Sequence, residues 1–319
     1  MLRSALNPAS VAIVGASDNP HKVGGRPILF LKRYGYRGAI YPINPGRSTV
    51  QGLRAFPSIA ETPDAPELAI VAIAGDEAVS AVEACAARGV KVAVVMTSGF
   101  GETGELAKQD RMLAAANAAG MRLIGPNCQG LANFATGLVA NFSTIFHETE
   151  ARDGPVAVVS QSGANSQAIY TLLRQKNLYA RHVHATGNEA DVTVAELAAA
   201  VAADDGVRLV LLYMEAIKDP AMLALAARVA RERDVPIVAM KAGRTASGQK
   251  AASSHTGALA SEDRVVDAFF EQHGIWRAAT PQQLVSAAEL YVAGRRPRGK
   301  RLVVLSNSGA SCVMAADHA

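Results

Sequence analysis

The side chain with the widest chemical reach in this 319-residue chain is His255, in the run Ser253-Ser-His-Thr-Gly257. It belongs to a stretch, 241–260, that follows an apolar segment at 237–240 and is almost free of large apolar side chains. Such a loop adds little to a core. It carries Lys241, Arg244 and Lys250, which attract phosphate, and hydroxyls flank the imidazole. A neutral imidazole is a competent nucleophile near pH 7, because its pKa of about 6.5 leaves it largely unprotonated. To carry a phosphoryl group it needs a partner on its second ring nitrogen. Glu215, in Tyr213-Met-Glu-Ala-Ile217 just past another apolar run, is the natural one, since packing gives no reason for a carboxylate there. A surface-loop histidine is the competing reading, and the composition of the loop favours the chemical one. His21 is placed to line the first Gly-rich loop, whereas His147, His182, His184 and His273 have no such context. His182 and His184 read as strand residues rather than metal ligands, and no metal site is expected.

Five further loops carry polar residues at positions where a chain leaves a strand. The first, Gly15-Ala-Ser-Asp-Asn-Pro-His-Lys-Val-Gly-Gly25, joins an apolar run to a helical pattern, and the N–H groups of such a turn suit phosphate. It lacks the G-x-G-x-x-G spacing, which disfavours a nicotinamide dinucleotide. The loop is longer and carries Ser17, Asn19 and Lys22, which suits a bulkier phosphorylated ligand, against a purely structural turn as the alternative. In Tyr41-Pro-Ile-Asn-Pro45 the two prolines fix the chain as it leaves the sheet, Asn44 stands where a dinucleotide site would carry an acid, and its amide is expected to face the crevice at the strand ends. Thr97, Ser98 and Gly99 open a third loop, and Gly125-Pro-Asn-Cys-Gln-Gly130 brings the amides of Asn127 and Gln129. Cys128 reads as a small packed thiol rather than a nucleophile. Ser160-Gln-Ser-Gly-Ala164 superficially resembles a hydrolase elbow but lacks its first glycine. It reads better as an anion site, with the hydroxyls of Ser160 and Ser162, with Gly163, and with the N-terminus of the following helix.

The elements that must position these loops alternate between short apolar runs and helical patterns, which predicts parallel α/β sheets. Strands are expected at 11–14, 39–43, 68–73, 90–96 and 122–124, with helices at 25–34, 76–88 and 104–119; Gly89 and Gly120 stop the last two. A second unit has strands at 156–160, 180–185, 209–213 and 237–240. Its helices are expected at 164–176, 194–203, 221–231, 262–273 and 281–291. The Gly-, Pro- and Arg-rich segment after it reads as a linker. A fresh strand and turn at 301–310 then lead into a helix at 311–319, a βα pair that cannot bury its own faces. The phrases VAIVGAS, VAVVSQSGA and LVVLSNSGA, starting at Val11, Val156 and Leu302, share one grammar of strand, small-residue turn and helix. Three related domains and the common opening of any α/β domain both explain it.

Composition narrows the class. Half the residues are hydrophobic, 19% are charged and the formal net charge is +4. The signs are mixed along the chain, which argues against nucleic acid as a partner. No run of about 18 apolar residues exists, so no membrane span is expected. The three cysteines, Cys85, Cys128 and Cys312, form no disulfide framework, and a reducing cytoplasm is the expected compartment.

Taken together, these motifs resemble the NDP-forming acyl-CoA synthetases, the superfamily of succinyl-CoA synthetase and ADP-forming acetyl-CoA synthetase, over essentially the whole chain. VAIVGAS with YPINP resembles the family's CoA-binding domain, and GPNCQG and VSQSGA its junction and second domain. MEAI and SSHTGALA match its catalytic glutamate and phosphohistidine segments, the last being the most specific. The resemblance implies an α/β protein with a Rossmann-like CoA-binding domain over 1–127 and a flavodoxin-like, parallel-sheet CoA-ligase domain over 128–293. A linker at 294–300 and the first βα unit of an incomplete third domain at 301–319 follow. It implies catalytic roles for His255 and Glu215 and places CoA on Gly15, Ala16, Ser17, Asn19, Lys22, Val23, Asn44, Pro45, Thr97, Ser98, Gly99 and Asn127. Phosphate falls on Ser160, Ser162, Gly163 and Gly257. The implied reaction is reversible: acyl-CoA, phosphate and ADP give a carboxylic acid, CoA and ATP through an acyl phosphate and phosphohistidine. ADP or ATP with Mg2+ would bind an ATP-grasp domain or β subunit, which this sequence lacks, and the family implies an oligomer. A CoA-binding regulatory module of a larger acyltransferase is the alternative, but it would need neither His255 nor Glu215.

Overall fold

Runs such as VAIV, LAIV and VAVV have no polar face, so they must be covered on both sides. The computed structural model describes residues 2–150, 152–245, 247–248, 262–294, 299 and 301–317. Its first sheet is built from β1 (Ser10–Val14), β2 (Ala39–Ile43), β5 (Leu68–Val71), β6 (Val92–Val95) and β7 (Arg122–Ile124). All four pairings are parallel and the spatial order is β2-β1-β5-β6-β7. Around it in chain order come α1 (Arg3–Leu6), α2 (Arg26–Arg33), the ribbon β3 (Thr49–Val50) and β4 (Leu53–Arg54), α3 (Asp76–Arg88) and α4 (Leu106–Ala118). Gly89 ends α3 in the left-handed region (φ 88°), where only glycine is unstrained. Gly120, just past α4, also has positive φ.

After β7 the chain crosses to a second sheet through the hairpin β8 (Gly130–Asn133) and β9 (Leu138–Asn141), which sequence patterning did not separate from the junction. It continues through α5 (Ile145–Glu148), β10 (Val156–Ser160), α6 (Gly163–Gln175), β11 (Ala180–Ala185), α7 (Val194–Ala202) and β12 (Leu209–Met214). The described part ends with α8 (Pro220–Glu232), β13 (Ile237–Lys241), α9 (Asp263–His273), β14 (Trp276–Arg277), α10 (Pro281–Val292) and α11 (Gly309–Asp317). The order is β14-β13-β12-β10-β11-β8-β9, parallel except where β8 runs against β11 and β9 against β8. Numbered by their place in the chain, the five parallel strands of each sheet follow the same 2-1-3-4-5 order. That is the doubly wound pattern whose ligands sit beyond the strands' carboxyl ends, at the switch of direction.

The two sheets share a core. One apolar cluster runs from Val11 and Ile13 of β1 to Val159, Val210 and Leu212 of the second sheet, and takes in Val194, Leu197 and Val201 of α7. Arg122 at the start of β7 reinforces the junction. Its guanidinium donates to both carboxylate oxygens of Asp191 (2.8 and 2.9 Å) and of Glu196 (2.7 and 2.8 Å).

The strand expected at 301–310 does not form. Residues 301–305 have no strand partner among the described residues, and Leu302, Val303 and Leu305 are 66%, 80% and 92% exposed. The following helix does form, beginning at Gly309. A helix closes its own hydrogen bonds within the segment, whereas a strand needs a neighbour. That difference accounts for one element forming without the other.

Candidate functional site

Gly-rich loops close over the carboxyl end of the first sheet. Gly15 leaves β1 at φ 84°, and a Cβ there would lie 2.4 Å from the Ile73 methyl. Gly24 packs back on the Gly15 carbonyl so closely that a Cβ would stand 2.0 Å from it. Ser17 Oγ accepts from the Asn19 N–H (3.2 Å), and Asn19 Oδ1 accepts from the His21 N–H (2.9 Å). Gln51 donates from its amide to the carbonyls of Ser17 and Gly25, both at 2.9 Å. Lys22 and Val23 are left at the exposed rim. Asn44 and Pro45 do adjoin this loop, but the Asn44 amide does not face open crevice as the sequence suggested. It donates to the Ala16 carbonyl (2.8 Å) and accepts from the Gly46 N–H (2.9 Å), so it pins two strand-end turns together. Thr97 likewise donates its hydroxyl to the Ile73 carbonyl. The Asn127 N–H donates to the Thr97 carbonyl at 2.8 Å. Thr97, Ser98, Gly99 and Asn127 therefore belong to the β6–β7 half of the edge, apart from the Gly15 loop.

That half opens onto a cavity of about 420 Å³ between the two sheets. The first sheet supplies Met96, Glu102, Gln109 and Asn127; the second supplies Gln161, Ser162 and Gly163 after β10, Asn188 and Glu189 after β11, and Glu215 and Lys218 after β12. Strands β10 and β12 are neighbours and lie at the switch point of the second sheet. Ser162 caps α6, its hydroxyl accepting from the Asn165 N–H (3.3 Å). The hydroxyl proton stays available to a ligand, beside the N–H groups of Gly163 and Ala164 that open a 13-residue helix. Ser160 behaves differently. It is fully buried, and its hydroxyl donates to the Ser162 carbonyl at 2.6 Å. It therefore shapes the turn and does not line the cavity.

Glu215 is half-buried at the end of β12, and the Tyr213 hydroxyl donates to it at 3.3 Å. Burial, and then the Glu215 charge, push the Tyr213 phenol up. Lys218 donates to the Asn188 carbonyl (2.5 Å) and the Glu189 carbonyl (3.3 Å), which holds an ammonium at the cavity rim. Glu102 accepts from the Gly99 N–H at 2.5 Å and from Asn188, bridging the sheets. Burial opposes its ionisation, but the Asn188 amide and the backbone N–H donors prevail and hold its pKa below the usual carboxylate value. Sequence reasoning missed Glu102, Gln161, Asn188, Glu189 and Lys218. The Thr186-Gly-Asn-Glu189 turn at the end of a strand was the available signal.

His255, Gly257 and Lys250 lie outside the described residues. Of the other cations in that stretch, Lys241 is buried at the end of β13 and donates to the Ala242 carbonyl (2.6 Å). Burial, then the Arg277 charge, lower its pKa. Arg244 is drawn to Asp263 at 3.5 Å. Cys128 is buried with its Sγ 3.0 Å from the Ala185 carbonyl, and burial pushes its thiol up to about 12, as befits a packed group. His182 and His184 are buried on one face of β11. Their rings meet at 3.1 Å, and His182 reaches Asp204 at 3.0 Å. Among the described residues there is no group of three or more His, Cys, Asp and Glu that could hold a metal, and no helix is long and apolar enough to cross a membrane.

Two family models match the chain, a CoA binding domain over residues 9–133 and a succinyl-CoA ligase like flavodoxin domain over 153–291. With the double sheet and its junction cavity, these define an acid–thiol ligase of the NDP-forming type. More particularly, the chain belongs to the family of ADP-forming acetate–CoA ligases. The α subunit of acetate–CoA ligase [ADP-forming] I from Pyrococcus furiosus is 37% identical over all of this chain and 69% of its own length. An acetate–CoA ligase [ADP-forming] from Methanocaldococcus jannaschii is 36% identical over 97% of this chain, which spans 43% of that protein. Among solved structures, the acetyl-coenzyme A synthetase 1 of Candidatus Korarchaeum cryptofilum, in complex with phosphate and ADP, superposes with a TM-score of 0.93. It is 32% identical and covers 99% of this chain and 68% of its own.

Proposed function

We propose that this chain is the part of an ADP-forming acyl-CoA synthetase that binds coenzyme A, turns an acyl-CoA into an acyl phosphate and accepts the phosphoryl group on His255. The observation that carries this reading is the meeting of Glu215, the Ser162–Gly163 end of α6 and Asn127 around one cavity. Phosphate oxygen attacks the thioester carbonyl, the C–S bond breaks, and CoA leaves as thiolate and takes up a proton. An imidazole nitrogen of His255 then attacks phosphorus, the P–O bond breaks, and the carboxylate departs. The N-terminus of α6, with the Ser162 hydroxyl, faces the charge on the travelling phosphoryl group. Glu215 holds the second ring nitrogen and balances the cation formed on phosphorylation. Phosphohistidine finally gives its phosphoryl group to ADP, held with Mg2+ in an ATP-grasp domain or partner subunit.

In this reading residues 1–127 form the CoA domain, with Gly15, Ala16, Ser17, Asn19, Lys22, Val23 and Pro45 along its ligand edge. Residues 128–293 form the phosphoryl domain, 294–300 the linker and 301–319 the start of a third domain. The cytoplasm, where free thiols persist, is the proposed compartment. Incubation with radiolabelled acetyl phosphate is expected to leave an acid-labile, base-stable phosphoryl group on the chain. Label that persists in His255→Ala would overturn the assignment. Calorimetry is expected to show binding of CoA and none of NAD.

A further inference from the structure

One buried amide on the cavity wall has no part in the steps above. Gln161 precedes the α6 cap and is 8% exposed. Its Oε1 accepts from the N–H groups of Glu215 (2.6 Å) and Ala216 (3.0 Å). Its Nε2 donates to Glu189 Oε2 (2.8 Å) and the Ala216 carbonyl (2.7 Å). The amide can face only one way: two N–H groups require its oxygen, and a carboxylate requires its nitrogen. Glu189 is itself 5% exposed and accepts from the Thr186 hydroxyl (2.9 Å) and the Val194 N–H (2.6 Å). It stands in the left-handed region at φ 53°, a conformation its surroundings must hold. One amide thus ties the turns after β10, β11 and β12 together. Those turns carry the Ser162 cap, Asn188 and Glu215.

We infer that Gln161 and Glu189 form a positioning pair that sets the Glu215 turn against the Ser162 end of α6, so that the phosphoryl group is handed over in line. This rests on the reading of Glu215 given above. Neither residue is assigned to touch the reacting atoms. A pair that only stabilised the fold would leave the handover unchanged in any variant that still folds.

The polarity of the contact supplies the test. Gln161→Glu places two carboxyl groups about 2.8 Å apart. They share a proton at low pH and repel each other once it is lost. The exchanged pair, Gln161→Glu with Glu189→Gln, restores a donor facing a carboxylate, while the Ala216 carbonyl loses its donor. Labelling of the whole chain by radiolabelled acetyl phosphate is followed from pH 6 to 8.5. Relative to wild type, the single variant is expected to lose roughly 10- to 100-fold in maximal labelling rate, increasingly as pH rises, with half-saturation by acetyl phosphate little changed. The exchanged pair is expected to regain part of the rate and lose the extra pH dependence. Wild-type kinetics in Gln161→Glu, or an exchanged pair no better than the single variant, overturns the inference. If wild type takes no label, or His255→Ala keeps it, the phosphohistidine reading has failed instead. Hydrogen exchange at the Glu215 and Ala216 amides then decides the pair: faster in Gln161→Glu and restored by the exchange supports it, and unchanged exchange sinks it.

Discussion

At Ser162 one hydroxyl closes the N-terminus of α6 and still has its proton to offer. Ser162→Ala removes both, so the loss divides between folding and binding. A capping hydroxyl contributes about 1 kcal/mol, which denaturant titration would register. A larger rise in the acetyl phosphate concentration needed for half-maximal labelling would mark the lost ligand contact. His184 makes a different kind of statement. Burial, followed by the nearby His182, holds its pKa well below the ordinary value. His184 therefore stays neutral in the fold, whereas in the unfolded chain it takes a proton below about pH 6.5. A depressed folded pKa contributes stability above the unfolded value and loses it as pH falls. Asp204 has the same sign at lower pH: the His182 hydrogen bond holds its carboxyl well below the usual value, ahead of the Gly206 N–H and Arg181. Denaturation midpoints should fall from pH 7 toward pH 5, less steeply in His184→Gln; an identical slope would exclude His184 as the source.

Elements were legible where one sheet's own sequence decides them. Continuous apolar runs announced β1, β5, β6, β10 and β12, and glycine marked the end of α3. The hairpin β8–β9 was not legible, because four-residue strands around a turn are set by their pairing with β11 rather than by their own pattern. The same distinction runs through the site. Ser162 and Glu215 could be read from their places at strand ends, and the fold brings them to one cavity. Asn44 and Ser160 each bond to a neighbouring turn, because a polar residue at a strand end serves a turn as readily as a ligand. Gln161 and Glu189 were missed because their roles depend on partners 28 and 55 residues away. The Gly15 turn gives a prediction at this scale. Gly15→Ala puts a methyl group within contact of Ile73 and the Ala72 carbonyl (2.9 Å) at a φ that L residues avoid. The expected result is weaker CoA binding by calorimetry, while labelling of the chain by acetyl phosphate is retained.

Across the whole molecule, what remains to be explained is why two sheets of the same order should hold a fixed cavity between them. Apolar burial supplies the area but little direction, because hydrophobic contact is non-directional. Arg122 supplies the direction. It leaves β7 and grips Asp191 and Glu196 with four charge-assisted hydrogen bonds, its side chain 26% exposed and theirs 15% and 18%. The Asp191 carboxylate also accepts from the Leu123 N–H at 2.9 Å, so the clamp holds backbone as well as side chain. Asp191 follows the 186–189 turn that carries Glu189 and Asn188, and Glu196 lies in the first turn of α7. A shift at Arg122 therefore moves one cavity wall relative to the other. Arg122→Lys keeps the charge but cannot make two forked contacts. Arg122→Ala leaves two part-buried carboxylates facing each other and is expected to cost about 2 to 3 kcal/mol. Calorimetric scans should then show the single transition expected of a shared core shifting down, further for Ala than for Lys. Acetyl phosphate labelling should slow in both folded variants. Labelling that is unaffected while the melting temperature drops would mean that the clamp stabilises the junction without setting the cavity.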